Sequence, residues 1–345
     1  MQDECEASCG VCKPPTTATT PTAKPKSTKT PTATKPTAAA KPTPKPKPAK
    51  AAPAPKAPPP DPSCTDIDPS CAAWAASGEC TKNPGFMFQS CALSCGSCDR
   101  GSRCAWNVSN TEPLGVPANS HHTFLERAES LGMRPVVRST DPLVLVLDEF
   151  LDAEETEALR AHAAGLRYAP SEILQKKVNS ASERMDYRRS AHRDSQTTFC
   201  GDDCYRHMST QRMLKKARAL TTMGDAHTEI QLLKYEVGQY YRTHHDYLGG
   251  SDKMMAGPRA LTILIYLSDE GLEGGETEFP ELNLRVAPKA GRAVLWPQVL
   301  NAEPLVKDVR TRHQSLPVTA GEKYAINLWY YHRSFYEARV KGCLG

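Results

Sequence analysis

The chain has 345 residues, of which 39% are hydrophobic and 24% charged, with a formal net charge of +4. Residues 13–62 hold ten lysines against the single acid Asp61, so +9 sits there and the rest, +4 less +9, carries −5. The folded parts therefore have no basic excess for nucleic acid, and no run of about 20 apolar residues offers a membrane-spanning helix.

Residues 1–12 read Met-x3-Cys-x3-Cys-x2-Cys through Cys5, Cys9 and Cys12, and residues 87–98 repeat that spacing. The opening is read as a partial copy of the later cysteine module. The expectation is a longer precursor whose signal sequence lies upstream. Residues 13–63 form a Pro/Lys/Thr-rich linker with 16 of the 29 prolines and no aromatic or large aliphatic residue. Such a segment cannot bury enough apolar surface to offset its ordering entropy, so it reads as a disordered spacer.

Cys64, Cys71, Cys80, Cys91, Cys95 and Cys98 fall within residues 64–98. A module this short needs disulfides or a metal to fold. Zinc would favour paired Cys-x2-Cys knuckles, and only Cys95 and Cys98 have that spacing, so disulfides and an oxidising compartment are expected. Asn107 heads an Asn-Val-Ser glycosylation triplet in the connector 99–139. Cys104 with Cys343, and Cys200 with Cys204, are further candidate pairs; free thiols are the competing reading.

A globular domain is expected over 140–337, followed by a tail at 338–345. Leu143 to Leu147 reads as a strand, and Asp152 with Glu155 three residues later reads as a capping box opening a helix. A second helix spans roughly 209–223. Short alternating runs then follow at 229–235, 239–247, 261–267, 291–296 and 323–331. Helices first and strands afterwards predict an α+β domain built on a sandwich or jelly roll.

Within the run 239–247, alternation places His244 and Asp246 on one face and His245 on the other. With His313 they make two histidines and one carboxylate, the set that holds a non-heme Fe(II) with open positions. Lys323 begins a strand on whose inward face an ammonium needs an anionic partner. A dicarboxylate co-substrate would supply it.

The cysteine spacing x6, x8, x10, x3, x2 resembles the ShK toxin-like domain, which implies the pairs Cys64–Cys98, Cys71–Cys91 and Cys80–Cys95. From about Leu143 to Phe335 the chain resembles the collagen-type prolyl 4-hydroxylases among the Fe(II)/2-oxoglutarate dioxygenases. Lys234-Tyr235-Glu236-Val237-Gly238-Gln239-Tyr240-Tyr241 before His244-x-Asp246, Gly274-Gly275-Glu276-Thr277-Glu278-Phe279-Pro280 and Asn327-Leu328-Trp329 carry that resemblance. It implies a double-stranded β-helix in which His244, Asp246 and His313 bind iron. Lys323, and with it Tyr235, would hold 2-oxoglutarate. Arg188 and Trp329 would border the peptide groove.

The implied activity is a procollagen-proline 4-dioxygenase type. It hydroxylates peptidyl proline in secreted Pro-rich or collagen-like polypeptides, releases succinate and CO2, and uses L-ascorbate to keep the iron reduced. The endoplasmic reticulum lumen or the secreted space is the expected location. The alternatives are a 2-oxoglutarate oxygenase acting on another residue or a small molecule, and a non-enzymatic binding protein that works through the cysteine module.

Overall fold

The fold was obtained as a computed structural model that describes residues 64–98, 104, 113–171, 173–179, 182–188, 191–248 and 254–343. Residues 1–63, including the partial module and the linker, lie outside the described residues, as does Asn107. The strands are β1 Val136–Thr140, β2 Leu143–Leu147, β3 Ala169–Pro170, β4 Ile173–Asn179, β5 Ser182–Arg188, β6 Arg193–Asp194, β7 Gln196–Phe199, β8 Thr228–Tyr235 and β9 Tyr240–His244. They continue with β10 Arg259–Tyr266, β11 Glu273–Gly274, β12 Thr277–Phe279, β13 Leu284–Val286, β14 Ala293–Pro297, β15 His313–Ser315, β16 Val318–Ala320 and β17 Lys323–Tyr331. The helices are α1 Cys71–Ala76, α2 Glu79–Lys82, α3 Pro84–Ser90, α4 His122–Ser130, α5 Ala153–Ala164, α6 Asp202–Arg206, α7 Met208–Thr221 and α8 Phe335–Val340.

Strands β2, β10 and β14 carry apolar residues on both faces because both faces are covered. In β2, Leu143, Leu145 and Leu147 join one buried cluster while Val144 and Val146 join another. Ile263 and Ile265 separate in the same way from Leu264 and Tyr266, and Leu295 from Trp296. This is strand alternation with two hydrophobic destinations. The first cluster packs the sheet against helices through Phe124, Leu159, Met213, Leu214 and Leu220. The second fills the space toward the smaller sheet with Phe279, Leu284, Val286 and Trp296. Burying one such side chain stabilises by about 1.5–3 kcal/mol, so the doubly covered strands dominate the core.

The larger sheet has the order β1-β2-β14-β10-β17-β8-β7-β3, and the smaller the order β13-β12-β15-β9-β6. All the pairings within both sheets are antiparallel. This is the jelly-roll arrangement of an α+β domain. Asp152 caps α5 with a reciprocal box: its Oδ1 accepts from the Glu155 amide at 2.8 Å, and its own amide donates to Glu155 Oε2 at 3.0 Å. The described part of the connector is folded, since α4 packs Phe124 and Ala128 into the helix-side cluster and β1 pairs with β2. Residues 196–199 pair with β8 as β7.

The cysteine module folds around Cys71, Met87 and Cys91, with Trp74 packed alongside. Its disulfides are Cys64–Cys98, Cys71–Cys91 and Cys80–Cys95; two more, Cys104–Cys343 and Cys200–Cys204, belong to the larger domain. Cys204 lies within α6 and the N-cap Gly201 ahead of it is extended, and the close pair bridges this β7–α6 turn.

Candidate active site

Strands β9 and β15 are neighbours in the smaller sheet, and their register sets His244 opposite His313. The two imidazole centroids are 4.3 Å apart. Strand β9 ends at His244, and the chain bends so that Asp246 turns back between the rings. Its Oδ1 lies 3.7 Å from His244 Nε2, and its Oδ2 lies 3.7 Å from His313 Nε2. His245 turns away and bonds the Asp308 carbonyl at 2.8 Å. Its separation from the cluster therefore comes from a bend after the strand, and continued strand alternation through 246 is not what produces it.

Each histidine has its tautomer set by the backbone. His244 Nδ1 donates to the Arg242 carbonyl at 2.9 Å, and His313 Nδ1 donates to the Thr311 carbonyl at 3.0 Å. A carbonyl can only accept, so both Nε2 lone pairs are free for a ligand. Burial, with the neighbouring His313 second, pushes the His244 imidazole well below its ordinary pKa and keeps it neutral. Burial alone would raise Asp246. His313, His244, Arg259 and the Thr262 bond outweigh it and hold the carboxyl down at about 2. One ligand atom from each residue lies within 4.8 Å of the others, the only such cluster among the described residues. Two imidazoles that present Nε2, with an ionised carboxylate within reach of both, fit a two-histidine, one-carboxylate iron site.

Support beneath Asp246 is fully buried. Thr262 Oγ1 donates to Asp246 Oδ2 at 2.8 Å, and Gln298 Nε2 donates to Thr262 Oγ1 at 2.8 Å. Trp296 and Phe279 close on His313, with centroids at 4.9 and 5.8 Å. The Tyr241 ring lies flat on His244 at 3.5 Å, and the Arg193 guanidinium sits 4.5 Å from the Tyr241 centroid.

A second register sets Lys323 on β17 opposite Tyr235 on β8. The lysine is only 2% exposed. Its Nζ donates to the Gly275 carbonyl at 2.6 Å and to Ser315 Oγ at 2.8 Å, and it forms no salt bridge among the described residues. Gly275 has φ +69°, and a Cβ there would stand 3.1 Å from Lys323 Cδ, so glycine makes room for the chain it binds. Burial drops the ammonium to about 7, and nearby Glu276 offsets only part of that. Ser315 also bonds the Tyr235 hydroxyl, so it bridges the two residues. A buried cation with neutral partners is a seat for an anion.

Trp329 is 5% exposed, with the Arg259 guanidinium stacked 3.5 Å from its ring centroid. Arg259 in turn donates to Glu229 at 2.7 Å and to the Tyr331 hydroxyl at 3.0 Å. The Trp329 indole nitrogen is buried without a partner among the described residues. Arg188 lies in β5, whose side chains fall outside the description. A cleft of about 570 Å³ opens beside Arg193 and Ser195, walled by Pro170, Gln239 and Tyr240. Sequence reasoning passed over Ser315, Thr262, Gln298, Tyr241, Arg193 and Arg259. Parity could have found Ser315, two residues after His313 on the same strand face; the others are joined to the site only by tertiary packing.

The family model described as the 2OG-Fe(II) oxygenase superfamily matches residues 230–331, and the ShK domain-like model matches residues 63–98. A putative prolyl 4-hydroxylase of Acanthamoeba polyphaga mimivirus is 37% identical over 113 residues, covering 31% of this chain and 46% of that protein. Prolyl 4-hydroxylase 1 of Arabidopsis thaliana is 30% identical over 213 residues, covering 57% of this chain and 71% of that protein. Among solved structures, the viral collagen prolyl hydroxylase of Paramecium Bursaria Chlorella virus-1, in its 2OG complex, matches with a TM-score of 0.42 and 24% identity. That match covers 55% of this chain and 95% of the viral one. The chain thus spans less than half of the mimivirus relative and about seven tenths of the plant one. Over the span that holds both registers, from the ligand pair to the lysine seat, the chain belongs to the prolyl 4-hydroxylase family of the 2OG-Fe(II) oxygenases.

Proposed function

We propose that the protein is a prolyl 4-hydroxylase that adds a hydroxyl group to C4 of peptidyl proline in Pro-rich or collagen-like polypeptides. The observation that carries this reading is the pairing, inside one jelly roll, of a three-residue metal set with a buried lysine that has no salt bridge among the described residues. His244, Asp246 and His313 would hold Fe(II), and Lys323 would bind the distal carboxylate of 2-oxoglutarate with Ser315 and Tyr235 beside it. Bound iron supplies oxygen activation coupled to decarboxylation of 2-oxoglutarate to succinate and CO2, and ascorbate keeps it ferrous.

The chain's own residues do the positioning. Thr262 and Gln298 hold the Asp246 carboxylate toward the histidines, and the backbone carbonyls of Arg242 and Thr311 hold the imidazoles. Trp296 and Phe279 exclude water from the His313 side. Arg193 and Tyr240, which line the cleft, would border the approach for the proline ring and its flanking peptide groups, whereas Arg259 and Trp329 are buried. Five disulfides support an oxidising compartment, the endoplasmic reticulum lumen or the secreted space. Among the described residues, no helix is long and apolar enough to cross a membrane.

The test is incubation of the whole protein with Fe(II), 2-oxoglutarate, ascorbate and a panel of Pro-rich peptides. Succinate and a peptide heavier by one oxygen atom are expected, and His244→Ala should abolish both. Succinate without peptide oxidation would assign the site a different substrate.

A further inference from the structure

Lys323 is 2% exposed, so its amine exchanges protons through neighbouring groups. Its hydrogen-bond partners among the described residues are the Gly275 carbonyl at 2.6 Å and Ser315 Oγ at 2.8 Å. A carbonyl has no proton to give, so of these two Ser315 carries a proton to or from the amine. The rings of Tyr235 and Tyr266 stand 5.0 and 5.5 Å from the same nitrogen. Behind Ser315 the hydroxyls continue, because the Tyr235 hydroxyl is bonded by both Ser315 and Ser195. Gln196 pairs with Lys234 across β7 and β8, so the next residues outward, Ser195 and Tyr235, meet at that end of the pair.

Ser195 Oγ lies 2.7 Å from Ser171 Oγ and accepts from Arg193 Nε at 3.0 Å, and the Ser171 amide donates to the Ser195 carbonyl at 2.8 Å. Ser171, Arg193 and Ser195 all wall the cleft of about 570 Å³. A line of hydroxyls therefore runs from the cleft through Ser171, Ser195, Tyr235 and Ser315 to Lys323. Arg193 gives it direction. A serine hydroxyl has one proton and two lone pairs, and the guanidinium occupies one lone pair of Ser195. What remains is one lone pair and one proton, so Ser195 accepts from one of Ser171 and Tyr235 while it donates to the other. Burial, offset in part by Arg193, raises the Tyr235 phenol and leaves it with a proton to pass on. The charged groups that bear on the line are Glu276 beside Lys323, and Arg193 and Asp246 around Tyr235.

We propose that these hydroxyls form a proton relay through which Lys323 changes its charge as the anionic co-substrate binds and the anionic product leaves. The relay rests on the hydroxylase reading above, which makes 2-oxoglutarate the anion in this seat. On binding, Ser315 gives its proton to the neutral amine and takes one from Tyr235. Tyr235 takes one from Ser195, Ser195 takes one from Ser171, and Ser171 takes one from solvent at the cleft. Every O–H bond that breaks is replaced by another, so the net change is one N–H bond formed at Lys323 and one proton drawn from solvent. Product release runs the same steps backward. Ser195 acts through Tyr235 and is a positioning residue.

The experiment mixes the full chain, loaded with Fe(II) under argon so that no turnover occurs, with 2-oxoglutarate in weak buffer. A pH-indicator dye follows proton uptake by stopped flow. With Lys323 titrating at about 7, the wild type should take up roughly 0.9 proton per 2-oxoglutarate at pH 8 and roughly 0.1 at pH 6. Ser195→Ala should slow the uptake at pH 8 about tenfold while keeping the number of protons, and the slowing should shrink at pH 6, where the amine is already charged. Ser195→Thr should restore the rate. Tyr235→Phe interrupts the same line and should slow uptake as well, which covers a Ser195 variant that fails to fold. Uptake at wild-type speed in both Ser195→Ala and Tyr235→Phe overturns the relay and assigns the exchange to water in the co-substrate cavity. A wild type that binds 2-oxoglutarate at pH 8 without taking up a proton overturns it too. Those two results leave the hydroxylase reading standing; a wild type that binds no 2-oxoglutarate overturns both.

Discussion

Lys323 and Tyr235 are register partners across β17 and β8, with the lysine Nζ 5.0 Å from the tyrosine ring. The geometry seats a buried ammonium beside aromatic rings and neutral oxygens, an arrangement that is expensive until an anion arrives.

That cost has a pH signature. In the unfolded chain the lysine stays protonated up to its ordinary pKa near 10.4, whereas in the folded protein burial lowers it to about 7. The unfolded state therefore binds more protons between those values, so stability rises with pH across that window, and the penalty is complete below 7. Lys323→Met should raise the melting temperature by about 2–4 °C at pH 6.5 and by little at pH 10. 2-Oxoglutarate should stabilise the wild type and not the variant in thermal-shift assays. Equal stabilisation of both would remove Lys323 from the co-substrate seat.

Asp246 depends on a donor beneath it. Thr262→Val removes the 2.8 Å bond to Oδ2 without changing side-chain size much, and should weaken Fe(II) binding about 10–100-fold. Iron titration by calorimetry or absorbance reads this directly. Asp246→Ala should abolish binding altogether.

Arg259 is a buried cation paired with Glu229 and stacked on Trp329. Arg259→Met leaves the Glu229 carboxylate without its cation, though still bonded by the Tyr331 hydroxyl at 2.7 Å, and breaking a buried pair from one side costs about 3–5 kcal/mol. Denaturant unfolding should show that loss. Adding Glu229→Gln should recover part of it, and a strictly additive double variant would contradict the coupling.

Cys71–Cys91 closes a loop with a sequence separation of 20 inside a module whose apolar core is small. Cys71→Ser with Cys91→Ser should cost the module about 3 kcal/mol. Hydrogen exchange should show lost protection over residues 64–98 and retained protection in β8, β10 and β17. Loss of protection in those strands too would mean that the module and the jelly roll unfold together.

Much of this protein was legible in residue order because it depends on local rules. Alternation marks the strand positions, the Asp152–Glu155 box opens α5, six cysteines in 35 residues demand cross-links, and His244, Asp246, His313 and Lys323 are chemically distinctive types. Other features depend on partners remote in sequence. Strand alternation accounts for His244, but the bend that carries Asp246 beneath both rings belongs to the tertiary structure. The register that sets His313 against His244, Ser315 between Lys323 and Tyr235, and Thr262 and Gln298 beneath the carboxylate are products of packing between residues 8 to 80 apart. By itself the sequence determined which groups this protein owns and their local conformation. Only the tertiary structure decided which of them share a buried, low-dielectric site, because register and packing are collective properties of the whole domain.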